Sequence, residues 1–397
     1  MLSGPNSYAV DVQGTDTLRG LDSGTYVLSN DTATASDAIV TPLYVGSVIG
    51  SPATIAVAET ARMSASFTVL PGSGQLWIGG VTGGSGVLSG FTSTQLTGTG
   101  VPGTTLSAAG GDALFDATGN LWVADSAANT IVEYPAAGLA TSGAPTASVT
   151  ITSAGLNGPV GLIFDRLGDL WVTNPASNTL VQYSAAQLVA GGNLTPAVTV
   201  TRAALNAPAR IAFDTYGNLW VPNAGSNTVV AFAPAQLTST DTTSPRITLS
   251  ATGGSLAGPR AVAFDESGNL WVANATGNTI VAYDYAHQLH SGSPTPVITF
   301  ALPGTSNGPS VLAFDNSGDL WGISATGSNL FEYSAQQISA YGAAAPVYTV
   351  VLSNRPTSLA FDPRPDGIPL VGPTGRRLRG HSITLGFRRG STTSRLP

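Results

Sequence analysis

Six polar residues are candidates for binding an anion or a carboxylate. They occur at positions where the copies of an internal repeat differ from one another. The repeat is marked by a recurring Phe-Asp dipeptide, and the six residues lie three to six positions before it, in five of the copies. Arginine presents planar pairs of N–H donors that match the two oxygens of a carboxylate. The alternative is that these are ordinary charged and polar residues on a loop-rich face. The predicted ligand-binding residues are Asp112, Arg210, Arg260, Ser310, Arg355 and Ser358.

The aspartates of the Phe-Asp dipeptides are a second candidate, because paired carboxylates can bind metal or act as acid and base. Each of the first five precedes a turn of the form x-x-Gly-Asn/Asp, where a short carboxylate accepts hydrogen bonds from the backbone of the turn. A residue that every copy contains is better explained by structure than by catalysis. We therefore interpret the whole series as turn-forming: Asp116, Asp165, Asp214, Asp265, Asp315 and Asp362.

The Phe-Asp dipeptide begins a longer motif that occurs five times. It reads Phe-Asp-x-x-Gly-Asn/Asp-Leu-Trp, first at 115–122, and successive dipeptides stand 49, 49, 51 and 50 residues apart. Self-similarity at this period indicates a repeat architecture. Each unit contains four apolar runs separated by turn residues, which is typical of the blades of a β-propeller rather than of βαβ units. The regularly spaced Trp is expected in the core between blades.

The number of blades depends on how the two ends of the repeat region join. The first Leu-Trp pair, at Trp77, lacks a preceding Phe-Asp, and the last Phe-Asp, at Phe361, lacks a following Leu-Trp. If the Phe361 strand completes the blade begun at Trp77, the ring closes with six blades and no free edge. A seventh blade results if 61–70 and 357–372 belong to separate blades. Because the first strand of each blade lines the channel of a propeller, the six ligand-binding residues would surround one mouth.

The predicted fold class is all-β: a six-bladed β-propeller, with seven blades as the alternative, preceded by a partial β-sandwich module. The module would span 1–70, where short alternating runs indicate strands and 18–27 resembles a hairpin of immunoglobulin-like or prealbumin-like modules in bacterial surface proteins. The propeller would span 71–372. Residues 373–397 are rich in Gly, Arg, Ser and Thr, and we predict a basic, disordered tail there.

Composition disfavours several classes of function. The chain has 397 residues, a net charge of −7 and no Lys, so nucleic acid is not an expected partner. The absence of Cys excludes disulfides, thiolate zinc sites and Cys nucleophiles. No apolar run is long enough for a transmembrane helix, and the first 20 residues contain no signal peptide. We expect a monomeric extracellular or cell-surface protein whose N-terminus is truncated in this chain.

The repeats resemble those of NHL-repeat β-propellers, as in Gly-Asn-Leu-Trp-Val-Ala-Asn followed by Asn-Thr-Ile-Val-Ala-Tyr within 268–283. The same clan contains the streptogramin (virginiamycin B) lyases and the gluconolactonase/regucalcin-like enzymes. In the latter, Asn and Asp side chains from different blades bind a divalent ion, so the resemblance implies Ca²⁺ or Mg²⁺ here. A turn-capping role for the same residues is the preferred alternative. The implied metal ligands are Asp125, Asn174, Asn223 and Asn274.

Histidine bears on the choice between binding and catalysis, because the resemblance implies that a lyase of this clan uses His as its base with bound Mg²⁺. His287 and His290 lie in a connector, and His381 lies in the tail, so none matches a catalytic position and no catalytic residue is predicted. The favoured function is a non-catalytic scaffold that binds a protein, peptide or glycan through its loop face and channel mouth. The alternatives are a metal-dependent lyase or lactonase, and a structural spacer of a cell-surface protein.

Overall fold

The computed structural model describes residues 75–362, apart from short gaps, and seven strands outside that range. The gaps are 83–84, 93–94, 97–100, 117, 166, 239–243, 252–254, 266, 303–307, 316–317, 325–327 and 340–344.

Six strands precede the repeats. They are β1 (Leu2–Gly4), β2 (Tyr8–Val10), β3 (Gly24–Leu28), β4 (Tyr44–Ile49), β5 (Ala53–Ile55) and β6 (Arg62–Val69). One sheet has the order β2-β1-β3-β5, and β4 pairs with β6 in another. The immunoglobulin-like or prealbumin-like identity of 1–70 stays a prediction.

The repeats form six antiparallel sheets, each corresponding to one blade. The first three blades contain β7 (Leu76–Thr82), β8 (Ser85–Phe91), β9 (Thr104–Ser107), β10 (Asp112–Phe115), β11 (Leu121–Asp125), β12 (Thr130–Tyr134), β13 (Val149–Thr152), β14 (Leu162–Phe164), β15 (Leu170–Asn174), β16 (Thr179–Tyr183), β17 (Gly192–Asn193) and β18 (Val198–Thr201). The short β17 adds to the second blade, parallel to β13.

The remaining strands complete the ring in chain order. They are β19 (Ala212–Phe213), β20 (Leu219–Asn223), β21 (Thr228–Phe232), β22 (Ile247–Ser250), β23 (Pro259–Phe264), β24 (Leu270–Asn274), β25 (Thr279–Tyr283), β26 (Ile298–Ala301), β27 (Pro309–Phe314), β28 (Leu320–Ser324), β29 (Asn329–Tyr333), β30 (Tyr348–Val351) and β31 (Arg355–Phe361).

The ring closes with six blades because its last strand joins its first blade. Strand β31 pairs antiparallel with β7, placing Phe361 opposite Leu76 and Ala360 opposite Trp77, and the sheet order is β31-β7-β8-β9. This is the closure that the degenerate motifs at the two ends predict. The seven-bladed alternative is wrong, since β6, within 61–70, pairs with β4 rather than with a propeller strand.

In the second to sixth blades, the first turn is built by the Phe-Asp motif, as the sequence predicts. In the fourth blade, Oδ1 of Asp214 accepts hydrogen bonds from the backbone N–H groups of Tyr216 and Asn218, both at 2.9 Å. Gly217 has φ 78°, a left-handed conformation that glycine adopts without strain. The second carboxylate oxygen accepts from Trp220 Nε1 at 2.9 Å, a contact that the sequence analysis did not predict.

The core lies between adjacent blades. The Trp of one blade packs edge-on against the Phe of the next, with ring centroids 6.0 Å apart for Trp122 and Phe164 and 6.1 Å apart for Trp220 and Phe264. The prediction that the repeated Trp forms the inter-blade core is confirmed. Because each blade covers its neighbour, the ring buries its apolar surface without needing a central plug of hydrophobic residues.

Among the described residues, helical structure lies in the connectors between third and fourth strands. Two short helices, α1 (Ala185–Ala190) and α2 (Ala335–Ser339), lie there, and 3₁₀ turns span Ala136–Leu139, Pro234–Gln236 and Tyr285–Gln288. In the described part of the chain, no helix has the length and apolarity needed to cross a membrane.

A last strand, β32 (Ile383–Gly386), pairs antiparallel with β6. It falls within 373–397, the segment predicted to be a disordered tail, and the rest of that segment lies outside the described residues. The domain boundaries at 70 and 372 stay predictions.

Candidate functional site

The blades give the propeller two faces that carry different loops. We call the end at which the inner strands begin the mouth face, and the end with the Phe-Asp turns the turn face. Because neighbouring strands within a blade are antiparallel, the connectors between third and fourth strands also lie on the turn face. The predicted ligand-binding residues belong to the mouth face and the channel, whereas His287 and His290 belong to the turn face.

Asp112 and Arg210 form an ion pair between two blades. Arg210 Nε lies 2.8 Å from Asp112 Oδ1, and the two side chains are only 16% and 10% exposed. The other carboxylate oxygen accepts a hydrogen bond from the backbone N–H of Leu162 at 3.1 Å. Burial raises the pKa of Asp112, while Arg210 and the backbone hydrogen bonds act in the opposite direction. The two donors favour the ionised form of the carboxylate and so offset part of the effect of burial.

The other donors of Arg210 reach across to two further blades. Its Nη1 donates to the backbone carbonyl of Ser310 at 3.3 Å, and its Nη2 donates to the backbone carbonyl of Thr357. These acceptors lie 100 and 147 residues further along the chain. All three nitrogens of this guanidinium are therefore engaged within the protein.

The backbone of Arg210 connects its blade to the next one. Its N–H donates to the carbonyl of Arg260 at 3.0 Å, and its own carbonyl accepts from the N–H of Val262 at 3.2 Å. Together with the contact from Leu162 on the third blade, the Asp112–Arg210 pair is bonded to all six blades. The arrangement joins the inner strands to one another at the level of the ion pair.

Ser310 and Ser358 lie on the two inner strands whose backbone carbonyls Arg210 contacts. Both are buried. Ser358 Oγ accepts from the backbone N–H of Gly79 at 3.1 Å, and Ser310 Oγ donates to the carbonyl of Ile323 at 3.4 Å. Each hydroxyl therefore stabilises the inner pair of strands of its own blade.

Arg260 and Arg355 are the exposed members of the predicted set. Arg260 stands at an irregularity in the pairing of β23 with β24, between Pro259 and Ala261, and such bulges redirect a side chain. Arg355 begins β31. The structure thus separates the six predicted residues into four that build the channel and two that are exposed on the mouth face. Ligand binding by the set stays a prediction.

Three of the four implied metal ligands occupy equivalent, buried positions at the end of a second strand. Asn223 Oδ1 accepts from the backbone N–H of Asn206 at 3.1 Å, and its Nδ2 donates to the carbonyl of Ala204 at 2.9 Å. Asn174 and Asn274 repeat these contacts with their own loops. Each side chain therefore fastens the connection that leads into its own blade.

Asp125, the fourth, is half-buried and closes a turn. Its Oδ1 accepts from the backbone N–H groups of Ala127 and Ala128, at 3.0 and 2.9 Å. Within 75–362, outside the gaps, no three His, Asp or Glu side chains are grouped as a metal ion would require. These contacts are those expected of the turn-capping alternative. Metal binding stays a prediction.

The two described histidines belong to a connector. His287 Nδ1 lies 2.5 Å from Asp284 Oδ1, and its backbone N–H donates to the same oxygen at 3.1 Å, so the pair caps the 3₁₀ turn Tyr285–Gln288. His290 is exposed at the end of this connector. His381 lies outside the described residues.

A cleft of about 190 Å³ opens on the turn face between the fourth and fifth blades. Tyr216, from the first turn of the fourth blade, and Tyr285, from the connector of the fifth, stand beside it with ring centroids 5.7 Å apart and planes tilted by 32°. The two residues are 59% and 45% exposed. Two large aromatic rings are thus held side by side at the surface by different blades.

The floor of the cleft contains a short side chain at a position where three of the six blades have a long polar one. The fourth of the five positions of the third strand holds Gln182 in the third blade, where Nε2 donates to Asp169 Oδ2 at 2.8 Å. The equivalent residue in the fourth blade is Ala231, which lines the cleft. The side chain of Arg246 also lines the cleft, and its Nη1 donates to Asn218 Oδ1 at 3.2 Å.

On the side of the cleft formed by the fifth blade, a polar residue replaces an aliphatic one. Gln288 is buried, and its Nε2 donates to the carbonyls of Gly268 and Tyr283 at 2.9 and 3.0 Å. Every other blade has a buried aliphatic residue five positions after the end of its third strand. These residues are Leu96, Leu139, Leu188, Leu237 and Ile338.

The cleft is therefore a place where several departures from the repeat coincide. Tyr285 stands where other blades have Ala136, Ala185, Pro234 and Ala335. Arg246 stands where the second, third, fifth and sixth blades have Ser148, Ala197, Val297 and Val347. The sequence analysis compared the copies only around the inner strand and second-strand ends, so it missed these residues. The same comparison over turns and connectors would have identified them.

No protein-family profile and no curated protein matches the chain. Solved structures do match. A selenomethionine-substituted virginiamycin B lyase from Staphylococcus aureus is 12% identical, with a TM-score of 0.46 over 81% of this chain and 97% of the lyase. A protein of unknown function from Bacteroides caccae is 14% identical, with a TM-score of 0.51 over 72% and 98% of the two chains. A streptogramin B lyase is 15% identical, with a TM-score of 0.42 over 62% and 71%.

These neighbours are six-bladed β-propellers, like this chain. At such identities the likeness concerns the fold alone, and the two lyase alignments have TM-scores too low to bear on function.

Proposed function

We propose that this propeller is a non-catalytic binding protein and that the cleft between its fourth and fifth blades is a recognition site. The repeats supply a rigid ring, and the residues that depart from the repeat supply the specificity. The ligand classes are those that the composition allows: a protein, a peptide or a glycan. Exposed Arg260 and Arg355 offer a second contact surface on the mouth face.

One observation carries this proposal: side chains that are unique among the copies converge on one cleft from three separate segments. Tyr216, Arg246 and Tyr285 are up to 69 residues apart in sequence, yet they line the same space. A structural requirement of the fold recurs from blade to blade, as the Asp–Trp hydrogen bond does in the second to sixth blades. A set of side chains that occurs at one cleft and is not repeated in the other blades instead indicates a ligand.

The absence of an acid–base pair with reacting geometry among the lining residues favours binding over catalysis. The carboxylate at the cleft belongs to Asp214, which accepts four hydrogen bonds, from Tyr216 N, Asn218 N, Asn218 Nδ2 and Trp220 Nε1. A carboxylate whose oxygens already accept four hydrogen bonds within the protein is poorly placed to accept a proton from a substrate. The neighbouring guanidinium of Arg246 carries N–H donors only and has no acceptor for a substrate proton.

The wider setting follows the sequence analysis. The repeats are of the NHL type, and the protein works as a monomer outside the cell or at its surface. A divalent ion, Ca²⁺ or Mg²⁺, held near Asn174, Asn223 and Asn274 would add stability rather than chemistry, since each amide already fastens a loop.

The experiment is a screen of small saccharides, amino-acid amides and aromatic acids by saturation-transfer NMR, against the wild type and Tyr285→Ala. The substitution installs the residue that three other blades contain, so the fold is expected to tolerate it. Some probes should give a binding signal with the wild type and none with Tyr285→Ala. The same probes should be chemically unchanged after incubation with the wild type. Leu167→Ser is the matched control, because Leu167 is the exposed residue of the third blade at the position of Tyr216. If no probe distinguishes the variant from the wild type and the control, the cleft is not a recognition site.

A further inference from the structure

We infer that the cleft binds a saccharide ring carrying a carboxylate, such as a uronic acid residue at the end or in the middle of a glycan. This inference rests on the proposed binding function and adds the ligand class. It combines the paired tyrosines, the planar polar groups on the floor, the size of the cleft and its single exposed cation.

The tyrosines supply an apolar platform. A pyranose ring has a face of C–H groups, which packs on the electron-rich face of an aromatic ring. Tyr216 and Tyr285 present adjacent rings tilted by 32°, rather than one flat stack, so together they form a shallow trough for a puckered ring. Leu289 extends the apolar rim.

The floor supplies hydrogen-bonding groups in fixed positions. The Asn218 amide is held by Asp214 on one side, at 2.6 Å, and by Arg246 on the other. Gln288 lines the cleft, and the two backbone carbonyls that accept from its Nε2 fix the orientation of its amide. Sugar hydroxyls both donate and accept, and fixed planar amides and guanidinium groups satisfy them without loss of side-chain freedom.

The charge at the cleft selects an acidic ring. Arg246 is exposed, and among the described residues it forms no ion pair; its Nη1 donates to the neutral amide of Asn218. The carboxylate of Asp214 is buried behind the floor and saturated with donors. A ligand carboxylate could therefore take the remaining donors of the Arg246 fork as a charge-assisted pair.

The size of the cleft argues against larger occupants. Its volume of about 190 Å³ is below the roughly 300–1,000 Å³ of sites that enclose drug-sized ligands, so one ring is the expected occupant. Proline-rich peptides dock in aromatic-lined grooves without needing hydrogen bonds to a polar floor. The acidic chain, with net charge −7, disfavours nucleotides that bring several phosphates.

The test is a titration of the full chain by isothermal calorimetry with D-glucuronic acid, D-galacturonic acid, D-glucose, benzoate and a tetraproline amide. At least one uronic acid should bind more tightly than glucose and benzoate. Tyr285→Ala should weaken uronate binding by about tenfold, the order expected for loss of a stacked ring. Arg246→Ser, which installs the residue of the second blade, should weaken uronate binding by a similar factor and change glucose binding by less than about twofold.

The outcomes separate the ligand class from the proposed function. If benzoate or the tetraproline amide binds best, and Tyr285→Ala abolishes that binding, the saccharide inference is wrong and the recognition site stands. If a uronic acid binds with equal affinity to wild type, Tyr285→Ala and Arg246→Ser, the sugar binds elsewhere and both claims about the cleft fail. Leu167→Ser should leave every affinity unchanged, and circular dichroism should confirm that each variant is folded.

Discussion

Arg210 and Asp112 meet across the channel, Nε to Oδ1 at 2.8 Å, although they belong to blades two apart in the ring. Between them they are bonded to all six blades, through side chains and through the backbone of Arg210. A propeller needs its first and last blades to stay together, which in this chain is achieved by the pairing of β31 with β7. The ion pair is a second, independent fastening of the ring.

Replacing either member of the pair should destabilise the fold strongly. Arg210→Ala or Asp112→Ala leaves one charge buried without its partner, which typically costs about 3–5 kcal/mol of the free energy of unfolding. Urea denaturation followed by tryptophan fluorescence measures this quantity. The double variant Arg210→Met with Asp112→Leu should lose less than either single variant, because no charge is stranded. A double variant that loses the sum of the two single effects would show that the residues do not act as a pair.

The repeated Asp–Trp contact should be worth more than the turn that the Asp closes. Asp265→Ala removes the acceptor of Trp271 Nε1, at 2.9 Å, and of two backbone N–H groups, which should lower the free energy of unfolding by about 2–3 kcal/mol. Asp125→Ala is the control, because Asp125 accepts only from two exposed turn amides, and its loss should cost about 1 kcal/mol or less. Equal losses in the two variants would mean that the indole contact contributes nothing.

Much of the fold could be predicted from the sequence because each blade repeats the same local chemistry. The 50-residue period, the Gly in the first turn and the alternation of strands are properties of short segments. Even the closure between Phe361 and Trp77 could be inferred, since each end of the repeat lacks what the other supplies. The identity of 1–70 could not be established in this way, because that region has no internal copy against which to compare it.

The sites were harder to predict because they depend on contacts between blades. Asp112 and Arg210 are the charged residues at one equivalent position of the inner strand, and their opposite signs were the available signal for an ion pair. The sequence analysis instead assigned both to an anion site. The cleft was missed because its distinctive residues lie in a turn, in a connector and just before a fourth strand, where the copies of the repeat were not compared. None of these residues is unusual within its own segment.

Stability should fall as pH rises from about 4.5 to 7 because of Glu332 in the sixth blade. Burial, with Asp319 and Asp315 facing it, raises the pKa of Glu332 from 4.5 to about 7. In this window the folded protein holds a proton that the unfolded chain has released, so the free energy of unfolding declines with pH and levels off above pH 7. After a reduction for solvent screening, the expected decline is about 1–2 kcal/mol. Denaturation midpoints between pH 4.5 and 8 measure it.

Glu332→Gln should remove most of this decline. Gln182 occupies the equivalent position in the third blade and donates to Asp169, so glutamine fits beside the aspartate pair. The variant should match the wild type near pH 4.5 and exceed its stability by about 1–2 kcal/mol at pH 8. The converse change, Gln182→Glu, should introduce a similar pH dependence in the third blade. A wild-type slope that persists unchanged in Glu332→Gln would assign the titration to another group.

Gln288→Leu should stabilise the protein while weakening ligand binding at the cleft. Five other blades bury Leu or Ile at this position, and the change exchanges a buried amide for the aliphatic group that the surrounding fold accommodates elsewhere. We expect the free energy of unfolding to rise by about 1 kcal/mol, as for other consensus substitutions. Leu188→Gln, the reverse change in the third blade, should lower it by about 2 kcal/mol, since the buried amide would lack a site built to receive it. A residue that lowers the stability of the fold is expected to be kept where it binds a ligand. A Gln288→Leu variant that loses stability would show that Gln288 stabilises the fold instead.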